Sequence, residues 1–138
     1  MPTTNETRPL PAPLPRVMLE PLVRAALLED LGRAGDITSQ AVVPAEAHSR
    51  LQLAARQSGV LAGLELARLA FELVDPSIVW EARLQDGARL APGDVIATLS
   101  GPARAMLTAE RTALNFLGHL SGVASATARI ADAIGHTR

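Results

Sequence analysis

The chain has no cysteine, no lysine and no tyrosine, and its 138 residues include only two Phe and one Trp. Without cysteine there is no disulfide, no thiolate nucleophile and no cysteine metal site. That fits a reducing compartment, and the cytoplasm is the expected location. Without lysine, Schiff-base chemistry, a P-loop lysine and a lipoyl or biotinyl attachment point are all excluded; all thirteen basic residues are Arg. So few aromatics leave no base-stacking surface, and a net charge of −1 exerts no broad pull on nucleic acid or anionic membrane, so neither is an expected partner. No apolar run is long enough to span a bilayer. The opening MPTTNETRPLPAPLP is Pro-rich and polar with no apolar h-region, and reads as a disordered lead-in rather than a signal peptide.

What is present is an aliphatic sequence, 48% hydrophobic and dominated by Ala, Leu and Val, enough for one domain with a real core. Leu19, Leu22, Val23, Ala26 and Leu27 predict a helix over 18–31, with Glu29, Asp30 and Gly32 marking its end. In the turn-rich GRAGDITS that follows, Asp36, Thr38 and Ser39 suit a loop held by side-chain-to-backbone bonds. Leu51, Leu53 and Ala55 alternate with Arg50, Gln52, Ala54 and Arg56, the period of a half-buried strand. Gly59 and Gly63 bracket a short apolar segment, and Leu64, Ala67, Ala70, Phe71 and Val74 form a second helical stripe stopped by Asp75-Pro76. Ile78, Trp80, Ala82 and Leu84 alternate as another strand. Asp86-Gly87 and Ala91-Pro92-Gly93-Asp94 are turns, and Val95–Leu99 is a third strand that Ser100-Gly101-Pro102 breaks into a helix. Gly122 separates that helix from a further one over Val123–Ile134, whose apolar stripe needs something to pack against. The fold class is α+β: an α/β sandwich with a mainly antiparallel sheet and flanking helices.

The helix after Pro102 carries the most informative residues. Leu107, Leu114, Leu117 and Leu120, with Ala113 and Phe116, recur at helical spacing as an apolar stripe, interrupted on its flank by Glu110, Arg111 and Asn115. Arg111 and Asn115 stand four apart and project from one side, one turn from each other. A guanidinium grips a carboxylate through two parallel hydrogen bonds, and an amide can orient a neighbouring group. Taken alone, the segment reads more simply as a solvated Glu–Arg pair on a core helix. Arg104 and Arg111, seven apart, share a face; they either bracket a dianionic ligand or form a solvated edge, and the sequence fits both. His48, His119 and His136 have no metal-ligand spacing, so no metal site is expected. His119, two turns beyond Arg111, either lines the same pocket or lies on the helix surface. Ser121 lacks a G-x-S-x-G context, and no GxGxxG or P-loop occurs. The segment from Asp86 to Ile96 is hairpin-like in the manner of biotinyl and lipoyl carriers, but has no lysine to modify.

Three stretches, ALLEDLGRAGDITSQAVVP, GVLAGLELARLAFELVD and LQDGARLAPGDVIATLSGPARAMLTAERTALNFLGHLSGVASAT, in this order resemble the amino-terminal half of quinolinate phosphoribosyltransferase, also called nicotinate-nucleotide pyrophosphorylase (carboxylating). The resemblance runs from about Leu19 to the end. It implies an amino-terminal sandwich followed by an incomplete α/β barrel that this chain lacks: residues 1–16 as lead-in, 17–122 as the sandwich, and 123–138 as the start of a helix linking to the barrel. It implies conversion of quinolinate and phosphoribosyl pyrophosphate to nicotinate mononucleotide, carbon dioxide and pyrophosphate in NAD biosynthesis, with Mg²⁺. It also implies a homodimer or larger assembly in which the sandwich of one subunit covers the barrel mouth of another. The arginine of AERTALN, here Arg111, would bind a quinolinate carboxylate in the partner's site. Glu110 and Asn115 would support that guanidinium, and Arg104 and His119 would lie at the pocket edge. The catalytic and metal-binding residues would all lie beyond Arg138, so the 138-residue chain alone is expected to be inactive. Two rivals remain at this stage: the paralogue associated with molybdate transport, and a non-catalytic association module contacting its partner through Val123–Ile134.

Overall fold

The computed structural model describes residues 14–34 and 43–135; most of the expected lead-in, the Asp36–Ser39 loop and His136 lie outside the described residues. The elements run α1 (Arg16–Ala34), β1 (His48–Ala54), β2 (Gly59–Val60), α2 (Leu64–Val74), β3 (Val79–Ala82), β4 (Arg89–Leu90), β5 (Val95–Pro102) and α3 (Ala103–Gly135). Among the described residues the strands form a three-stranded antiparallel sheet in the order β1-β5-β3 and a separate ribbon of β2 with β4. The helices pack together against the sheet, which is the expected α/β sandwich.

Register explains why one sheet face is apolar. Leu51 stands opposite Leu99 and Leu53 opposite Ala97, while on the other flank Trp80 stands opposite Leu99 and Ala82 opposite Ala97. Because side chains alternate across a sheet, these residues share one face, and the central β5 is buried from Ile96 to Leu99. Phe71 of α2 meets Trp80 of β3 with ring centroids 6.1 Å apart and tilted, joining the helical layer to the sheet. Leu19, Val23 and Leu27 of α1 enter the same core at the four-residue helical repeat. At the surface Arg16 pins α1 to α2 through Glu72, at 2.9 Å, and Glu72 also accepts from Arg68. The hydrogen bond from Arg16 is the main reason the Glu72 carboxyl is held below its ordinary 4.5.

Several expected boundaries move. The first helix continues past Gly32 to Ala34, since an isolated glycine weakens a helix without terminating it. The second strand stops at Ala82 because Arg83 and Leu84 both donate their amides to the Ile96 carbonyl, which ends the regular ladder. Ser100, Gly101 and Pro102 remain in β5, paired with β1 as far as His48, so the strand is not broken there and α3 follows without a loop. Gly122 does not divide two helices. One helix of 33 residues runs through it, carried on by the alanines between Ala124 and Ala133, the residue type most favourable in a helix.

The buried face of α3 also differs from the expected leucine stripe. Its buried residues are Ala103, Met106, Ala109, Thr112, Ala113 and Leu117, whereas Leu107 and Leu114 are exposed, at 46% and 42%. Alanines take the interior positions because α2 lies along α3, and α2 also presents fully buried alanines, Ala67 and Ala70.

Phe71 is the largest fully buried side chain, so Phe71→Ala is expected to destabilise the chain by about 3–5 kcal/mol. Leu114→Ala, on the exposed arc, should change stability by less than about 1 kcal/mol. Urea unfolding followed by the fluorescence of Trp80, the sole tryptophan, measures both.

Candidate functional site

Arg111 lies on the side of α3 opposite the core. At 100° per residue it is roughly 160–200° around the helix from Ala109 and Ala113, both of which are completely buried. Its side chain is 68% exposed, and Leu107, Leu114, Asn115 and Gly118 stand on the same outward arc. Arg111 therefore belongs to the outer face, not to the flank of the core stripe. The partner of its guanidinium comes from another helix. Asp30, near the end of α1 and 25% exposed at its side chain, accepts from Nη1 of Arg111 at 3.4 Å.

The other expected site residues divide around this point. Glu110, one residue earlier and rotated toward the sheet, lines a groove of about 590 Å³ between α3 and the end of β1, with Gln52, Arg56, Leu114, Gly118 and Ser121 also on its walls. Asn115 is exposed one turn beyond Arg111. Among the described residues neither Glu110 nor Asn115 is hydrogen-bonded to Arg111; Asp30 is the residue that holds it. Arg104 shares the outer side of the helix, but its Nε donates to the Val43 carbonyl at 2.6 Å, which ties it to the backbone leading into β1. His119 is exposed and, eight residues from Arg111, is turned about 80° away around the helix.

The groove wall is held by serines rather than by further strands. Ser125 Oγ accepts from the Val60 amide at 2.8 Å, and Ser121 Oγ accepts from the Ala62 amide at 3.0 Å while donating to the Ala62 carbonyl. A side chain at Gly59 would collide with Ser125, and Gly63, at φ +91°, sits in the left-handed region with Leu120 and the Phe116 carbonyl directly over it. These two glycines bring the β2 segment against α3 and so fix the groove's width.

Chemically Arg111 and Asn115 offer a forked cation and an amide on a rigid helix. That suits capture of a planar carboxylate and leaves the rest of an enclosed site to another surface. Among the described residues no three His, Asp or Glu side chains come together where they would hold a metal ion. Nor is any helix among them long and apolar enough to cross a membrane. Asp30 was hidden in the sequence. It stands inside the ALLEDLG stretch, three residues after buried Leu27, but reads there as a helix-end acid.

These observations define an α/β sandwich domain that presents an arginine on an outward helix face. The family described as quinolinate phosphoribosyl transferase, N-terminal domain, matches residues 36–121, and the chain belongs to it. The nicotinate-nucleotide pyrophosphorylase (carboxylating) of Mycobacterium leprae is 41% identical over 118 residues, covering 84% of this chain and 42% of that protein. Quinolinate phosphoribosyltransferase (decarboxylating) 1b of Nicotiana tabacum is 36% identical over 119 residues, 86% of this chain and 34% of the relative. The crystal structure of NadC from Streptococcus pyogenes matches with a TM-score of 0.85 and 37% identity, over 89% of this chain and 44% of that one. The chain thus spans between a third and a half of the length of these relatives.

Because Arg111 is exposed and its ion pair with Asp30 is long, Arg111→Ala is expected to alter folding stability by less than about 1 kcal/mol. Urea denaturation of the variant checks this, and a loss of several kcal/mol would make the residue a structural one.

Proposed function

We propose that this chain is the substrate-covering part of a quinolinate phosphoribosyltransferase, and that Arg111 binds a quinolinate carboxylate in a site completed by a second subunit's barrel. The observation that carries this is the position of Arg111. It is a permanently charged fork on the outside of a long helix, beside exposed Leu107 and Leu114, on a face that burial in the domain's own core does not use. Family membership supplies the substrate class: the relatives are named for quinolinate phosphoribosyl transfer and for nicotinate-nucleotide pyrophosphorolysis.

The reaction is chemically suited to such a contribution. The pyridine nitrogen of quinolinate attacks the anomeric carbon of phosphoribosyl pyrophosphate as the carbon–oxygen bond to pyrophosphate breaks. The resulting pyridinium ring takes up the electron pair left when the adjacent carboxylate departs as carbon dioxide, and a proton then replaces it. Arg111 moves no proton in this sequence. Its role is to hold the diacid in one orientation, a positioning and electrostatic effect. Mg²⁺ and the groups that hold pyrophosphate belong to the barrel in this proposal, and none of the steps assigned to this chain runs through them. The surface we assign to homodimer or larger assembly is this outward face together with Val123, Ile130 and Ile134, which are exposed further along α3 and about 100–140° around the helix from Arg111.

The experiment is a hybrid enzyme in which this chain replaces the corresponding part of Streptococcus pyogenes NadC. The hybrid is expected to form nicotinate mononucleotide from quinolinate and phosphoribosyl pyrophosphate. Arg111→Ala should lower its kcat/KM for quinolinate by about 30- to 1,000-fold, the equivalent of about 2–4 kcal/mol for one charged partner of a carboxylate. An inactive hybrid, or an Arg111→Ala hybrid with unchanged kinetics, sinks the proposal. The 138-residue chain assayed alone should give no product above blank.

A further inference from the structure

We infer that Asp30 is a positioning residue that presents Arg111 to its ligand, an inference that rests on the function proposed above. An exposed arginine on a helix has four rotatable bonds and no reason to point one way. Arg111 is different from its exposed neighbours because a carboxylate from a separate helix reaches it. Asp30 Oδ1 lies 3.4 Å from Nη1, and the Asp30 side chain is three-quarters covered while the arginine is two-thirds open. The less exposed partner is the anchor, since it sits on α1 one turn beyond Leu27, a core residue.

The choice of nitrogen matters. The contact engages Nη1, on the end of the guanidinium. It leaves the Nε–Nη2 edge, whose two N–H groups lie parallel, with no partner among the described residues. That edge is the side-on fork that grips a carboxylate with two hydrogen bonds. Asp30 thereby fixes the plane of the fork without occupying it. It also connects the carboxylate site to α1, so that the AERTALN and ALLEDLG stretches are joined by an ion pair between residues 81 apart. A carboxylate this close to a substrate-binding cation opposes an anionic ligand electrostatically. That opposition works against the gain from orientation, and the quinolinate KM of Asp30→Asn reads which of the two prevails.

Two measurements separate this inference from the functional reading. In the 138-residue chain, the ¹⁵N order parameter of the Arg111 Nε–Hε bond is expected to exceed that of Arg129, an exposed arginine further along the same helix. In Asp30→Asn it should fall to the Arg129 value, with the thermal midpoint unchanged, and Asp30→Glu should restore part of the order. If Arg111 is already as mobile as Arg129 in the wild-type chain, the tether does not exist and the inference fails, whatever the enzyme does. In the hybrid enzyme, Asp30→Asn should raise KM for quinolinate by about three- to tenfold, the cost of ordering one long side chain on binding, with KM for phosphoribosyl pyrophosphate unmoved. An unchanged or lowered quinolinate KM overturns Asp30 as a positioning residue while leaving Arg111 as the ligand. Loss of effect at Arg111 itself overturns the functional reading instead.

Discussion

The structure depends on the close approach of α2 to α3. Ala67 and Ala70 on one helix, and Ala109 and Ala113 on the other, have no exposed surface at all. Small side chains at a helix contact let the backbones come near, and larger residues, here Phe71, Met106 and Leu117, are buried in the same core. That seam sets the rotation of α3 about its own axis, and everything else follows from the rotation. With Ala109 and Ala113 inward, Glu110 turns toward the sheet, Ser121 and Ser125 reach the backbone of the β2 segment, and Arg111 has nowhere to go but out.

This dependence explains what the sequence revealed and what it concealed. Strand periodicity was readable: Leu51, Leu53 and Trp80 alternate as written and the register puts them on the core face, with Ile78 buried just before β3. Glycine chemistry was readable at Gly87 and Gly93, both of which adopt the positive φ that their turns require. The phase of α3 was not. Leucines at 107 and 114 and alanines at 109 and 113 both follow a helical repeat, on arcs well over 100° apart, and hydrophobicity alone favours the leucines. The core chose the alanines because the neighbouring helix left room for nothing larger. Side-chain volume at a helix contact is decided by the partner helix, which a single helix's pattern does not contain.

The site was legible in part for the same reason. Arg111 stands out in the sequence as a charge among apolar residues, but its surroundings do not: Glu110 and Asn115 are its neighbours in sequence and on the helix, whereas the hydrogen-bond partner shown by the structure arrives from α1. Arg104 looked equivalent to Arg111 by spacing, and the two do share the outer side of α3. They differ because the backbone of the segment before β1 passes beside Arg104 and takes up its Nε, whereas Arg111 is met by the side chain of Asp30. Long-range contacts of this kind carry no periodic trace.

One exposed cation is a weak binding site by itself, and that weakness bears on the proposed assembly. Two unit charges 4 Å apart attract by about 1 kcal/mol in water but by about 4 kcal/mol at the effective dielectric of a protein surface that excludes part of the solvent. On the open outer face of α3, Arg111 gains little more than the lower figure from a carboxylate. It reaches the larger one only when a second surface closes over both. The exposed leucines at 107 and 114, one turn to either side, are what such a surface would cover, and covering them removes water from the arginine between them. In the proposed enzyme, subunit contact and substrate affinity are therefore one event: the apolar rim draws the surfaces together, and the same closure raises the strength of the ion pair at its centre.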